Sequence, residues 1–165
     1  MILQNKMYLI EKYISDELTD HIKSIIDELI KTCKEPSWYK STINGKDYAM
    51  IEKKDDLKEI ITIYESFLDK KLDLQNAWTV YGQEGTYHTA HKHAKSDKFI
   101  CTVLFLDTTG VSTPNGDFYA VLNNEVYQFS PRKGDLLIFS SDVCHGTYPQ
   151  VKGLRHTLNL DFIPL

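Results

Sequence analysis

The hydrophobic periodicity of this 165-residue chain changes near residue 77, and no other feature restricts its fold as much. Before that point apolar residues recur with the spacing of one helix face, and after it they alternate with polar residues in short segments separated by turns. The predicted strands cover residues 77–81, 86–93, 99–106, 117–122, 125–130, 135–140 and 154–163. Helices outside a sheet of about seven or eight antiparallel strands indicate a mainly β (α+β) fold, a jelly roll or double-stranded β-helix barrel.

Residues 1–76 are predicted to support this barrel with two packing helices. A short strand at residues 7–14 precedes Ser15, whose type suits a helix N-cap, and the helix runs to about Cys33. One apolar stripe on this helix is expected to face the sheet. The stripe contains Leu18, Ile22, Ile25, Ile26, Leu29 and Ile30.

The second helix is predicted to begin near Asp55 or Asp56, with its apolar side reaching Leu72. Between the helices, Asn44-Gly45 is a turn signal for a hairpin between residues 39–43 and 46–51. We expect one domain over residues 1–165, with the helical support at 1–76 and the β core at 77–165.

The composition indicates an ordinary folded domain, with 42% hydrophobic and 25% charged residues. The net charge of -4 provides no general attraction to nucleic acid or anionic lipid, so we expect a small-molecule or peptide substrate. The start of the chain lacks a long apolar segment with a cleavage site, which predicts a cytoplasmic protein without membrane contact. The chain has three widely spaced cysteines, Cys33, Cys101 and Cys144. An odd number at such spacing favours reduced thiols over a disulfide framework. The oligomeric state is left open.

Three histidines have the spacing of a metal site. His91 and His93 lie two residues apart on a predicted strand, so both side chains point to one face. His145 from a later strand would complete three protein ligands and leave coordination positions free, as in catalytic metal sites. Arg155 and Thr157 follow on the same face of the last strand, where the Arg fork suits a carboxylate and the hydroxyl adds a donor.

The segment from Tyr81 to His93 resembles the Tyr-x-x-x-Gly-x-x-x-x-x-His-x-Asp stretch of the prolyl-4-hydroxylase-like branch of the 2-oxoglutarate/iron(II)-dependent oxygenases. Further segments resemble that family in the same order over roughly residues 77–163. They are Phe99–Asp107, Asn115–Phe118, Pro131–Phe139 and the stretch from His145 to Arg155.

The resemblance implies an iron(II)- and 2-oxoglutarate-dependent dioxygenase that hydroxylates a prolyl residue or a small molecule. By this resemblance His91, His93 and His145 bind the iron, and Arg155 binds the distal carboxylate of 2-oxoglutarate. Tyr81 would donate its phenol to the same co-substrate, or be a half-buried structural aromatic. Phe105 stands where some relatives have a second co-substrate tyrosine.

His93 departs from the family motif, which has an acidic residue there. A third neutral imidazole leaves the site more cationic, which would retune the iron, favour another metal or accompany loss of 2-oxoglutarate chemistry. Asp97 is a candidate carboxylate ligand, or a surface charge. His88 is predicted to lie on the opposite strand face from His91 and not to bind the metal.

Two alternatives stay open from sequence. Gly85, His91-x-His93 and Asp97 also resemble the first motif of the cupins, which would make this a three-histidine metalloprotein of another kind. A non-catalytic binding module on the same barrel is the other alternative. Substrate selection is expected in the loop at residues 107–116 and in the stretch at 35–52, because long loops on a rigid scaffold often provide it.

Overall fold

Two antiparallel sheets face each other in this protein, whose computed structural model describes residues 6–32, 48–51, 54–93 and 98–165. The strands are β1 Met7–Ile10, β2 Tyr48–Met50, β3 Leu72–Gly82, β4 His88–His91, β5 Ile100–Asp107, β6 Phe118–Leu122, β7 Glu125–Phe129, β8 Leu136–Ser140, β9 Cys144–Thr147 and β10 Arg155–Pro164. The larger sheet has the order β1-β8-β5-β10-β3-β2 and the smaller has β4-β9-β6-β7. The predicted jelly roll is confirmed.

Helices α1, Asp16–Leu29, and α2, Lys58–Leu68, pack on the outer face of the larger sheet. Ser15 caps α1, because its hydroxyl accepts a hydrogen bond of 3.2 Å from the amide of Leu18. Burial of apolar side chains between helices and sheet forms one core. It includes Ile22 and Ile26 of α1, Ile60 and Tyr64 of α2, and Leu104, Leu106, Leu158, Leu160 and Phe162 of the sheet.

A second core fills the space between the two sheets. Strand β5 illustrates how one strand serves both cores, because its side chains alternate between faces. Leu104 and Leu106 face the helices, whereas Val103 and Phe105 face the smaller sheet. The inner face of β10 carries the buried polar residues Arg155, Thr157, Asn159 and Asp161, so part of the space between the sheets is a polar pocket rather than an apolar core.

Several predicted boundaries differ from the structure. Strand β1 ends at Ile10, not at residue 14, and α1 is followed by a 3₁₀ turn at Ile30–Thr32. Helix α2 ends at Leu68 because Asp69 takes a left-handed conformation with φ of 50°. Leu72 therefore begins β3, five residues before the predicted change at 77, instead of ending the helix.

The smaller sheet contains a strand that the sequence-based strand ranges omitted. Strand β9 is only four residues long and carries His145. Asn123 and Asn124, with φ of 51° and 65°, form the two-residue turn that joins β6 to β7. Cys33, the first strand of the 39–51 hairpin and most of the 35–52 stretch lie outside the described residues.

No helix in the described parts of the chain is both long enough and apolar enough to cross a membrane.

The buried face of α1 is turned slightly from the predicted apolar stripe. A different isoleucine therefore provides the test of how this helix packs on the sheet. Ile26 is fully buried, whereas Ile25 is only partly buried. We expect Ile26→Ala to lower the free energy of unfolding by about 2–5 kcal/mol through lost burial and a residual cavity. Ile25→Ala is the matched control and should cost clearly less in the same denaturant titration. Equal losses would contradict the observed orientation of the helix.

Candidate active site

Three histidine rings converge between the sheets. His91 at the end of β4 pairs directly with His145 of β9, and His93 follows two residues after His91. The ring centroid of His145 lies 4.5 Å from that of His91 and 4.9 Å from that of His93. One nitrogen from each ring lies within 4.8 Å of the others. The structure thus brings the three predicted ligands to one point that can hold a metal ion.

Hydrogen bonds fix which nitrogen of each ring faces that point. The Nδ1 of His91 lies 2.8 Å from the carbonyl oxygen of Thr89, and the Nδ1 of His145 lies 3.0 Å from that of Val143. A carbonyl oxygen can only accept, so both Nδ1 atoms carry hydrogen and both Nε2 lone pairs are free. This is the arrangement that metal-binding histidines adopt.

Burial keeps these rings in the uncharged form that binds metals. It lowers the pKa of His91 and brings the pKa of His145 well below its ordinary value, and the neighbouring histidines act in the same direction. A proton therefore competes poorly for the Nε2 atoms near neutral pH.

Gly146 allows β4 and β9 to approach each other next to the histidines. A Cβ at this position would lie 2.6 Å from the backbone oxygen of His88 and 2.5 Å from the hydroxyl of Tyr119. Because one of these atoms is backbone, any larger residue would push β4 away and separate His91 from His145.

Arg155 lies in the same pocket as the three histidines and is only 2% exposed. Its Nη1 donates to the carbonyl oxygen of Gly116 at 2.9 Å, and its Nη2 donates to Oγ1 of Thr147 at 3.1 Å. Within the described parts of the chain no carboxylate forms an ion pair with it, and burial lowers its pKa to about 10. A buried charge without a counter-charge is costly, so this end of the pocket is suited to an anion.

Thr157 and Asn159 continue the polar face of β10 into the pocket. The amide of Asn159 donates to Oγ1 of Thr157 at 3.1 Å, and no described residue accepts the hydrogen of that hydroxyl. Thr157 can therefore donate to a ligand held by Arg155. Phe105 and Phe118 are among the apolar residues that line the pocket.

The structure does not bring Tyr81 into this pocket. Successive strand residues alternate, and Val80 faces the pocket, so Tyr81 faces the helices. Its phenol donates a short hydrogen bond to Asp27 of α1, and its ring stacks on His156 at 3.9 Å. Tyr81 is therefore the half-buried structural aromatic of the second alternative. The predicted contact between its phenol and the co-substrate is not supported.

The prediction that His88 lies on the opposite face from His91 is wrong. The register of β4 shifts between the two residues, and His88 lines the pocket beside Arg155. Its Nε2 is buried and has no hydrogen-bond partner in the described residues. Strict alternation excluded this residue, and only its position close before the H-x-H pair could have drawn attention to it. Asp97, the other candidate ligand, lies outside the described residues.

Sequence comparison matches no protein-family model and no curated protein, but solved structures share the fold. A prolyl-4-hydroxylase from Pseudomonas putida has a TM-score of 0.73 at 14% identity, over 96% of this chain and 92% of that one. A prolyl hydroxylase in complex with a hypoxia inducible factor oxygen degradation domain peptide fragment from Trichoplax adhaerens has a TM-score of 0.77 at 13% identity, over 97% and 84%. HygX from Streptomyces hygroscopicus with nickel and 2-oxoglutarate bound has a TM-score of 0.72 at 10% identity, over 96% and 83%.

These similarities show that the chain has the fold of prolyl hydroxylases and other 2-oxoglutarate/iron(II) oxygenases. They confirm the prediction from the motifs at the level of the fold. At such low identity the activity has to be argued from the site itself.

The three histidines can be tested as a ligand set. Replacing His91, His93 or His145 by Ala should each weaken binding of iron(II) or nickel(II) by more than about 100-fold, because even outer partners of ligands change affinity about 10–100-fold. Anaerobic calorimetry measures this, with His21→Ala on the exposed side of α1 as the control. Unchanged affinity in the His93→Ala protein would remove His93 from the ligand set.

Proposed function

We propose that this protein is an iron(II)- and 2-oxoglutarate-dependent dioxygenase. The observation that carries the proposal is the buried Arg155, which has no ion-pair partner among the described residues and lies in the same pocket as the three-histidine cluster. The reaction would consume one dioxygen, placing one of its oxygen atoms in the hydroxyl group of an organic substrate and the other in succinate as 2-oxoglutarate loses carbon dioxide. The expectations of one domain over residues 1–165 and of a cytoplasmic location belong to this proposal.

The donor set fits a divalent transition metal. Three imidazole ligands suit iron, nickel or cobalt, and three protein ligands leave coordination positions for other molecules. The bound metal supplies the redox chemistry that oxygen activation requires. His91, His93 and His145 would hold it, and apolar side chains such as Phe105 and Phe118 line the pocket around them.

The opposite end of the pocket fits a carboxylate. The guanidinium of Arg155 offers a planar fork of donors, and two of its N–H groups are already held by Gly116 and Thr147, so the fork is fixed before a ligand arrives. The hydroxyl of Thr157 can add a second donor. An anion bound here offsets the charge of Arg155.

We propose that His88 takes the donor role that the motif resemblance gave to Tyr81. Its ring lines the pocket, and its buried Nε2 has no hydrogen-bond partner among the described residues. Burial, followed by the charge of Arg155, brings its pKa well below the ordinary value. The ring is therefore neutral and can donate one N–H to the carboxylate that Arg155 binds.

The substrate is proposed to be a prolyl residue or a small molecule. The prolyl hydroxylase from Trichoplax adhaerens in complex with a peptide provides the precedent for the first class. Succinate release in the presence of candidate peptides and small metabolites would identify the class.

Arg155→Leu tests the co-substrate site directly. The change removes the charge while leaving the histidines in place, so we expect 2-oxoglutarate affinity to fall by about 2–5 kcal/mol, the range for breaking a buried charge pair. Anaerobic calorimetry with iron(II) measures this, and unchanged iron(II) affinity shows that the pocket is intact. Arg155→Lys is the matched variant, because it keeps the charge but loses the forked donors. Its 2-oxoglutarate affinity should lie between those of the parent and of Arg155→Leu.

Binding of iron(II) and of 2-oxoglutarate by the parent protein distinguishes the three functions considered. Binding of iron(II) and 2-oxoglutarate supports the dioxygenase. Iron(II) binding without 2-oxoglutarate binding would favour the cupin-like metalloprotein, and binding of neither would favour the non-catalytic module.

His88→Phe tests the second donor. The ring keeps its plane but loses its nitrogens, so we expect 2-oxoglutarate affinity to fall by about 1.5–3 kcal/mol, as for a hydrogen bond to a charged group. Iron(II) affinity should stay constant, and His21→Phe is the matched control for loss of a histidine. Parental 2-oxoglutarate affinity in His88→Phe would leave the orphaned Nε2 without a role in co-substrate binding.

A further inference from the structure

A buried carboxylate lies directly behind His93, the residue that replaces the acidic ligand of the related motif. The Nδ1 of His93 is 2.9 Å from Oδ1 of Asp161, with side-chain exposures of only 10% and 6%. Asp161 belongs to the polar face of β10, three positions along that face from Arg155. The related motif has a carboxylate at position 93. Here a carboxylate, that of Asp161, lies behind the ligand His93 instead.

The surroundings make this contact specific. The ring of His93 lies between Trp78 and Phe139, with centroids 5.2 Å and 5.6 Å away. These rings offer no strong acceptor, so the Nδ1 hydrogen of His93 is directed to Asp161. The other two ligand rings donate to backbone carbonyl oxygens instead. No other described carboxylate bonds to a ligand ring, so the three histidines are chemically unequal.

Cys101 completes the environment of Asp161. Its sulfur, the carboxylate and the His93 nitrogen lie within 4.8 Å of one another. Burial, and then the neighbouring Asp161, raise the pKa of the Cys101 thiol, so the sulfur keeps its proton. The thiol therefore acts as a weak donor to Asp161.

We propose that Asp161 is a positioning residue for the metal, supplying through His93 the negative charge that a carboxylate at position 93 would supply by direct ligation. The inference rests on the three-histidine metal site of the proposed function. It makes the H-x-H sequence a rearranged form of the two-histidine, one-carboxylate set.

Asp161 would act on the metal site in two ways. One carboxylate offsets one of the two charges of a divalent metal whether it binds the ion directly or through an imidazole. The hydrogen bond also fixes the ring orientation, holds the hydrogen on Nδ1 and makes Nε2 a more basic ligand. Asp161 is not itself a ligand in this arrangement, because its oxygen is held at the ring nitrogen that points away from the metal.

Asp161→Asn is the first test, because the side chain keeps its shape and loses its charge. We expect cobalt(II) affinity to fall about 10–100-fold. The visible spectrum of the cobalt(II) protein should shift as well, because the donor strength of His93 changes. The matched control is Asp135→Asn, another buried carboxylate, which accepts from the amides of Lys12 and Arg132 at 2.8 Å and does not line the pocket of the three rings. It should lower thermal stability and leave the cobalt(II) affinity and spectrum unchanged.

In a second test, the same Asp161→Asn substitution is expected to strengthen cobalt(II) binding instead of weakening it, because it is made in the His93→Asp variant. His93→Asp places a carboxylate ligand next to Asp161, and two buried carboxylates repel each other. Adding Asp161→Asn removes that repulsion. We therefore expect the double variant to bind cobalt(II) at least about tenfold more tightly than His93→Asp alone, although Asp161→Asn weakens binding in the parent.

The outcomes separate this inference from the proposed function. A parent protein that binds no divalent metal contradicts the proposed metal site. A parent that binds cobalt(II), with Asp161→Asn equal to it in affinity and spectrum, contradicts the role of Asp161 alone. A loss of stability in Asp161→Asn without either change would make the pair structural. If Asp161→Asn alone does not fold, the double variant is compared with His93→Asp, and cobalt(II) binding that is no tighter in the double variant contradicts the role of Asp161.

Discussion

The alternation of side chains along β10 is the constraint on which the rest of the structure depends. This strand lies between β3 and β5 in the larger sheet, and both of its faces are buried. One face contributes Leu158, Leu160 and Phe162 to the core under the helices, and the other places Arg155 and Asp161 between the sheets. A shift of one residue would move charges into the apolar core and leucines into the pocket. The fold and the candidate site therefore require the same register.

Charge balance connects the two ends of the pocket. Neutral histidines leave a divalent metal with its full charge, and Arg155 adds another positive charge nearby. Asp161 offsets one of these charges, and the two carboxylates of 2-oxoglutarate would offset the others. In the proposed complex the pocket is close to neutral, which is the condition for burying so many polar groups at low cost. Without such an anion, Arg155 has no opposite charge among the described residues.

The failures of sequence reasoning in this pocket come from backbone geometry. Tyr81 has the family spacing to His91, but Val80 faces inward, so alternation turns the tyrosine toward Asp27. His88 was excluded by the same alternation, yet the register shift in β4 brings it to the face of His91. A β-bulge changes which residues share a face, and one-sequence patterns carry little signal for it. The short strand β9 was omitted for a related reason, since four residues give too little periodicity.

The sequence alone determined the fold class, the three metal-binding candidates and Arg155, because these follow from strand periodicity and from ligand chemistry at fixed spacings. It also indicated that the last strand has one polar face. Only the tertiary structure decided that this polar face is buried rather than solvated, that His88 lines the pocket while Tyr81 does not, and that Asp161 lies behind His93. Those facts depend on how β10, β4 and α1 meet in space, and residues that are 68 positions apart, as His93 and Asp161 are, have no local pattern that connects them.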